Sequence, residues 1–345
     1  MKKIIMLIVG VLMVGVLASN KCGAAIEGWR INASVQRVGI TQIIEHPALN
    51  ATRRGLLDEL ESQGFKKDEN IIIYFQSAQG SPVIASQIAQ QFAGMHLNVA
   101  VGIGTAVAQS LVANMQGTST PVVFSSITDP KGAGLVQDYQ RSEKNVTGVS
   151  NFIPIMPQLE FFKQIVPSLK RLGIIYNLGE ANSVSLNEQI EAEAPKIGLA
   201  IVLAPVTGSI EVSSAAQSLV GKVDAILVTN DNTALSAFDS ILRIANDVKL
   251  PVFVSDTDLV KNGAIGALGP NQYEIGRQTG RMVAKILKKE PVSQLPMEFP
   301  EKVEMYINVK VMQQLGLGEV IHALGLPADE DIVKRNVTTS QRELL

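Results

Sequence analysis

Side chains able to hold a small polar molecule gather at the ends of apolar runs in this chain. The run 172–176 stops at Asn177, Gly179, Glu180, Asn182 and Ser183. Upstream runs end in Thr41, Gln42 and Glu45, in Gln76, Ser77 and Gln79, in Gly104 and Thr105, and in Ser125, Ser126, Thr128 and Asp129. Downstream runs end in Thr229, Asn230, Asp231 and Asn232, and in Ser255, Asp256 and Thr257. Serine, threonine and asparagine can donate or accept a hydrogen bond. Helices expected to start after Thr105 and Ser126 offer free backbone N–H groups, which suit a carboxylate. Glu180, Asp231 and Asp256 offer negative charge, which suits an ammonium group. One small molecule carrying both groups is an amino acid. Taken singly, each polar residue also fits a helix cap or a turn. The repetition at successive strand ends favours a ligand site.

The elements that position these residues alternate. "RVGITQI", "NIIIYFQ", "NVAVGIG", "PVVFSS" and "NVTGVSN" read as strands, with helices between the early ones. The pattern restarts at "RLGIIYN" and continues through "AIVLAPV", "DAILVT", "PVFVSD" and "GAIGALG". Helix signals lie where they should. Pro47 falls in a first turn, Ser81 and Pro82 open a helix with Ile84, Ile88 and Phe92 on one face, and Gly64 follows a helix end. Continuous apolar runs suit strands covered on both faces, so the sheets are expected to be parallel and doubly wound. Two such series predict two α/β lobes, with the break near "NFIPIMPQ". In such sheets ligands bind outside the carboxyl ends of the strands. Two facing lobes would therefore form a cleft.

The chain of 345 residues, 46% hydrophobic and 18% charged, has room for two cores. Its net charge of -2 lacks the basic face a nucleic-acid binder needs. Lys2 and Lys3, the apolar run 4–18 and the small residues before Ala24 and Ala25 read as a signal peptide over residues 1–25. A secreted, periplasmic or extracytoplasmic protein is expected. Cys22, the only cysteine, raises the alternative of a lipid anchor, which Ser19, Asn20 and Lys21 disfavour. His46, His96 and His322 show no metal-ligand spacing, and no metal or cofactor is expected. His46 precedes a helix near the expected cleft, as a ligand contact or a helix-start residue. Gly-x-Ser-x-Gly and phosphate-loop motifs are absent, and "GIGTAV" has Val107 where a dinucleotide fingerprint needs its third glycine.

The segments "VGITQIIEHPALNATRRG", "SAQGS", "SSITDPKGAGLV", "NVTGVSN", "YNLGEANS", "VTNDNT", "SDTD" and "EIGRQTGRMVAKIL" resemble ABC transporter substrate-binding proteins of the tryptophan/tyrosine-type family. The likeness runs from about Val38 to Leu317. It implies a type I periplasmic-binding-protein fold: two doubly wound parallel-sheet lobes joined by a three-strand hinge. Residues 36–150 plus 263–290 would form the first lobe, 151–262 plus 300–317 the second, and 318–345 an added extension. It also implies a monomer that hands its ligand to an ABC permease, and a hydrophobic or aromatic amino acid as that ligand. Thr105, Ser126 and Thr128 are then expected at the carboxylate, and Glu180, Asn182, Asp231 and Asp256 at the amino group or its supporting network. Gln42, Glu45, Gln79, Asn151 and Asn230 complete the set, with Gln42 or Asn151 available to an indole N–H or phenol O–H. Phe152, Phe124 and Tyr273 are the aromatic candidates.

Two other functions fit these residues: a sensor that reports occupancy to a receptor, and a secreted glycosidase or transferase using Asp and Glu as acid and base.

Overall fold

The computed structural model describes residues 35–140 and 145–337. The expected signal peptide, Cys22 and the last residues of the tail lie outside the described residues.

The first lobe alternates β1 (Gln36–Gln42), α1 (Pro47–Ser62), β2 (Ile71–Ser77), α2 (Pro82–Ala93), β3 (Val99–Ile103), α3 (Thr105–Asn114), β4 (Val122–Ile127) and β5 (Val146–Ser150). Its five strands form one parallel sheet in the order β2-β1-β3-β4-β5. Every residue of β3, β4 and β5 is buried. Helices cover both faces, and the sequence is accordingly apolar at consecutive positions. Ser81 caps α2 as expected, its hydroxyl accepting from the Ile84 N–H at 3.3 Å.

The second lobe follows with α4 (Ile155–Ile165), β6 (Arg171–Asn177), α5 (Ala181–Glu193), β7 (Ala200–Val206), α6 (Val212–Leu219), β8 (Ala225–Val228), α7 (Asn232–Ser236), α8 (Phe238–Asp247), β9 (Val252–Val254) and β10 (Gly266–Pro270). Next come α9 (Gln272–Leu287), β11 (Val303–Asn308), α10 (Val309–Gln314), α11 (Gly318–Ala323) and β12 (Ile332–Val337). The second sheet runs β12-β11-β10-β9-β8-β6-β7, parallel from β10 to β7 and antiparallel at β11 and β12. Its core includes Phe161, Phe162 and Phe253, the last two stacked with centroids 4.4 Å apart.

Two expectations about residue membership are corrected. Residues 263–270 do not belong with the first sheet, because β10 pairs with β9 and β11. The chain therefore crosses at Asn271, not near Asn262. A buried parallel strand reads the same whichever sheet receives it, so its sequence could not assign it. Residues 292–299 return to the first core through Val292, Leu295, Met297 and Phe299. The region from Gly318 is no appendage: Ile321, Leu326 and Val333 enter the second core, and β12 pairs with β11 from Val303↔Val337 to Asn308↔Ile332. The sequence "IVKRNV" carries three polar residues in a row because an edge strand faces water.

α9 leaves the second sheet and lies on α1 of the first lobe. Glycine permits the approach: a Cβ on Gly276 would fall 2.0 Å from the Thr52 carbonyl oxygen, and one on Gly55 2.0 Å from that of Tyr273. This contact sets the first residue of α9, Gln272, beside Thr52 and at the mouth of both lobes.

Candidate functional site

The carboxyl ends of the two sheets face each other across a small, nearly filled cavity. The first lobe lines it with His46, Leu49, Gly104, Thr105, Ser126, Thr128 and Asn151, the second with Asn182, Asn230, Asn232, Leu235 and Asp256, and Gln272, at the start of the crossing helix α9, stands between them. A roomier open recess, about 1330 Å³, lies at the far end of the first lobe around Met115 and Leu135, and no charged residue lines it. The converging polar and acidic side chains are at the smaller cavity.

Local backbone explains the first-lobe wall. Gly104 precedes α3 with φ +99°, a conformation open to glycine at little cost, and so exposes the α3 N-terminus to the cavity. Ser126 holds φ +57° at a register shift between β4 and β5. A non-glycine residue in this region is strained, and such strain collects at functional sites. The turn directs the Ser126 hydroxyl to Gln272 Oε1 at 2.8 Å. The Thr52 hydroxyl reaches the same oxygen at 3.1 Å.

The second-lobe wall centres on Asp256. It is buried, and its carboxylate accepts from Gln272 Nε2 at 2.5 Å. No cation among the described residues pairs with it. Burial pushes its pKa up to about 7; the Gln272 hydrogen bond opposes the rise and the nearby Asp258 carboxylate adds to it. His46 moves the other way, down to about 4, because burial disfavours the imidazolium, against the hydrogen bond to the Asn232 amide oxygen.

The lobes touch. His46 Nε2 lies 3.3 Å from Asn232 Oδ1, Asn230 Nδ2 lies 3.4 Å from Thr128 Oγ1, and Ser185 Oγ donates to Asp129 Oδ2 at 2.7 Å. This is a closed arrangement. Three polar atoms of cavity-lining residues are nevertheless buried without a protein partner: His46 Nδ1, Thr105 Oγ1 and Asn230 Oδ1. Such orphans are rare in folded proteins and call for an explanation.

Of the residues expected from sequence, Thr105, Ser126, Thr128, Asn151, Asn182, Asn230 and Asp256 line the cavity. Five do not. Gln42 braces the turn before α1, donating to the Ile44 carbonyl and Asn50 Oδ1, both at 2.8 Å. Glu45 and Gln79 are exposed. Asp231 caps α7 through the Ala234 N–H and accepts from the Asn177 N–H and the Ser183 hydroxyl. Burial, then the charge of Glu180, pushes its pKa up to about 6. Glu180 accepts from Asn232 and Thr233, behind the wall. Among the aromatics, Phe124 is core, and the Tyr273 hydroxyl donates to Asp58 Oδ2 at 2.9 Å on the outside of α9. Phe152 alone is near, in a small adjoining cavity with Ile153, Leu186 and Pro270. That cavity shares Thr128, Asn151 and Asn230 with the first.

Sequence reasoning left out Leu49, Gly104, Asn232, Leu235 and Gln272 as site residues, and left His46 undecided. Gln272 carried no signal in its residue type, because it looked like an ordinary first-turn residue. Asn232 stood in the "VTNDNT" cluster, and its position at the start of α7 was the available clue.

Residues 37–323 match the family model for ABC transporter substrate binding proteins, and the chain belongs to that family. It is 31% identical over 322 residues to the tyrosine-binding protein of Clostridioides difficile strain R20291, covering 92% of this chain and 93% of that one. An ABC domain from Streptococcus pneumonia, solved in complex with L-Trp, is 32% identical with a TM-score of 0.77, covering 82% of this chain and 95% of that one. The ligand-free, open structure of a substrate binding protein with adhesive properties from Clostridium difficile is 34% identical with a TM-score of 0.64, covering 86% and 98%. At nearly equal identity the ligand-bound relative superposes better than the open one. The hydrogen bonds across the cleft put the lobe arrangement here on the closed side. The likeness given by the sequence segments is thus the family the chain belongs to, and the two-lobed α/β fold is as expected.

Proposed function

We propose that this chain is the extracytoplasmic capture component of an ABC importer, and that it binds a free amino acid with an aromatic side chain. Asp256 carries the reading: a buried carboxyl facing a cavity, without a cation among the described residues, holds its charge at a cost that a cation from outside the protein would offset. A ligand ammonium supplies it. The α3 N-terminus and the unpartnered Thr105 hydroxyl supply the complementary place for a carboxylate. Thr128, Asn151, Asn182 and Asn230 complete the polar contacts, and Glu180 and Asp231 belong to the supporting network. The ligand side chain extends past Thr128, Asn151 and Asn230 toward Phe152, Ile153 and Leu186. The two hydrogen bonds in that partition, Asn230 to Thr128 and Thr128 to Asn151, are each 3.4 Å, long enough to part easily. The names of two relatives, a tyrosine-binding protein and an L-Trp complex, support the same class.

In this reading the protein acts as a monomer and delivers its ligand to a membrane permease. No helix among the described residues is long and apolar enough to cross a membrane. Ligand bridging both lobes favours the closed state by its difference in affinity for the two states.

The experiment is a thermal-shift and calorimetry screen of the purified chain against the twenty amino acids, purines and sugars. Tyrosine, tryptophan or phenylalanine should raise the Tm by mass action and bind with a dissociation constant near ~1 μM, about -8 kcal/mol. Stabilisation by a sugar or nucleoside, with none from any amino acid, would sink the reading.

A further inference from the structure

We propose that Glu180 is a positioning residue that sets the hydrogen-bond polarity of the cleft, turning the oxygens of Asn182 and Asn232 outward and, through Asn232, fixing the tautomer of His46 so that its Nδ1 presents a bare acceptor. The proposal rests on the amino-acid reading above and deepens it: the side of the cleft where Asn182 and Asp256 of the second lobe meet His46 of the first becomes a surface of acceptors, matched to a protonated amine.

The inference follows from what a carboxylate can do. Both oxygens of the Glu180 carboxylate act as acceptors here. Its Oε2 accepts from the Asn232 backbone N–H at 3.0 Å, from Asn232 Nδ2 at 2.6 Å and from Asn182 Nδ2 at 3.4 Å. Its Oε1 accepts from the Thr233 N–H at 2.9 Å and the Thr233 hydroxyl at 2.7 Å. The amide of Asn232 can therefore face Glu180 only with its NH₂ group. Asn182 is held the same way, its NH₂ also donating to the Asn230 carbonyl at 2.8 Å. Both side-chain oxygens are left to point away.

Asn232 Oδ1 meets His46 Nε2 at 3.3 Å across the cleft. An amide oxygen can only accept, so Nε2 must carry the proton. Burial keeps the ring neutral, and a neutral ring protonated at Nε2 has none at Nδ1. That atom is one of the buried orphans, on a ring that lines the cavity. Asn182 Oδ1, His46 Nδ1 and the Asp256 carboxylate are thus all acceptors. A ligand amine is welcome on this side and a ligand carboxylate is repelled, so the bound amino acid has one orientation.

The test is Glu180→Gln, with Glu180→Asp beside it, read by calorimetry with tyrosine and tryptophan and by nitrogen NMR of the histidine rings in the ligand-saturated protein. His46 is assigned by the spectrum of His46→Gln. The expected results are an Nε2-protonated His46 in the wild type, a shift toward the Nδ1-protonated form in Glu180→Gln with affinity about 100-fold weaker, and partial recovery of both in Glu180→Asp. His46→Gln, which keeps a donor for Asn232, should bind better than His46→Leu. This last pair stands even if Glu180→Gln fails to fold. Tight binding by wild type and equally tight binding by folded Glu180→Gln, an Nδ1-protonated wild-type ring, or equal binding by His46→Gln and His46→Leu would overturn the Glu180 role alone. Failure of the wild type to bind any amino acid overturns both this role and the amino-acid reading.

Discussion

The two walls of the cleft are built from the same kind of fold and differ in sign. The first lobe presents a helix N-terminus, the Thr105 hydroxyl and a strained Ser126 turn, all without a net charge. The second presents Asp256 and asparagines, backed by Glu180 and Asp231. The first wall therefore suits an anion through dipoles, and the second suits a cation through a full charge. The hydrogen bonds between the walls leave each with orphaned atoms. In the reading proposed above, a zwitterion satisfies both walls, and only when the lobes are together, so the difference between them favours closure around it.

The largest effect is expected where that difference is sharpest. Asp256→Asn removes the one acidic group among the described residues that line the cavity and should weaken amino-acid binding by about 1000-fold, in the range for breaking a buried charge pair. The same change should raise the Tm of the ligand-free protein at pH 8. Asp256 has its pKa raised to about 7 in the fold, so its contribution to stability is fully present below the unfolded value and is lost as pH rises through about 7. Asparagine avoids that loss, and near pH 4 the two Tm values should converge. A lower Tm for the variant at pH 8 would show that the carboxylate is already compensated.

A pH titration of affinity comes next. Below about pH 7 the buried Asp256 takes up a proton in the closed cleft, with Gln272 and Asp258 as its neighbours, and an ammonium ligand must displace it. His46 acts in the same sense, since burial lowers its pKa to about 4 and closure expels its proton below the ordinary value. Affinity should be flat above pH 7 and fall by up to about tenfold per unit below it. Asp256→Asn should flatten the upper part of the profile. A wild-type profile flat from pH 8 to pH 5 contradicts the pairing.

Much of this contrast was legible in the residues. The strand ends announced themselves because parallel strands are apolar throughout and polar residues interrupt them sharply. Seven of the residues so found line the cavity, among them Thr105, Asp256 and Asn230. The sequence could not say which acids face the ligand. Glu180 and Asp231 stand at strand ends just as Asp256 does, and only three-dimensional packing shows that neighbouring amides and hydroxyls already occupy them. Gln272 was hidden for a different reason: its role depends on α9 crossing between lobes at Gly55 and Gly276, a contact between segments more than two hundred residues apart. The polar edge strand β12 escaped because it lacks the apolar run that marked every buried strand.

The anionic side of the comparison is tested by Thr105→Val, which keeps the shape and removes the hydroxyl. Its buried Oγ1 has no protein partner, so the loss should appear in binding and not in stability. A five- to tenfold weaker affinity is expected, about 1 kcal/mol for one hydrogen bond, with an unchanged Tm for the empty protein. An equal affinity would place the ligand carboxylate away from α3.

The smallest expected effect separates the ligand's side chain from its charged groups. Phe152 is half-buried where the chain leaves β5, and it lines the adjoining cavity with Leu186 and Pro270. If the aromatic ring of the ligand enters there, Phe152→Ala removes one aromatic contact, worth about 0.5–1.5 kcal/mol. Tyrosine and tryptophan should then bind about three- to tenfold more weakly, and a small amino acid such as alanine, which does not reach the partition, should bind as before. The comparison between ligands is what decides. A uniform loss across all of them would mean that the substitution disturbs the crossing strand and lobe closure. No loss for any would mean that the ring lies elsewhere, against Leu49 and Leu235 on the other side of the polar groups.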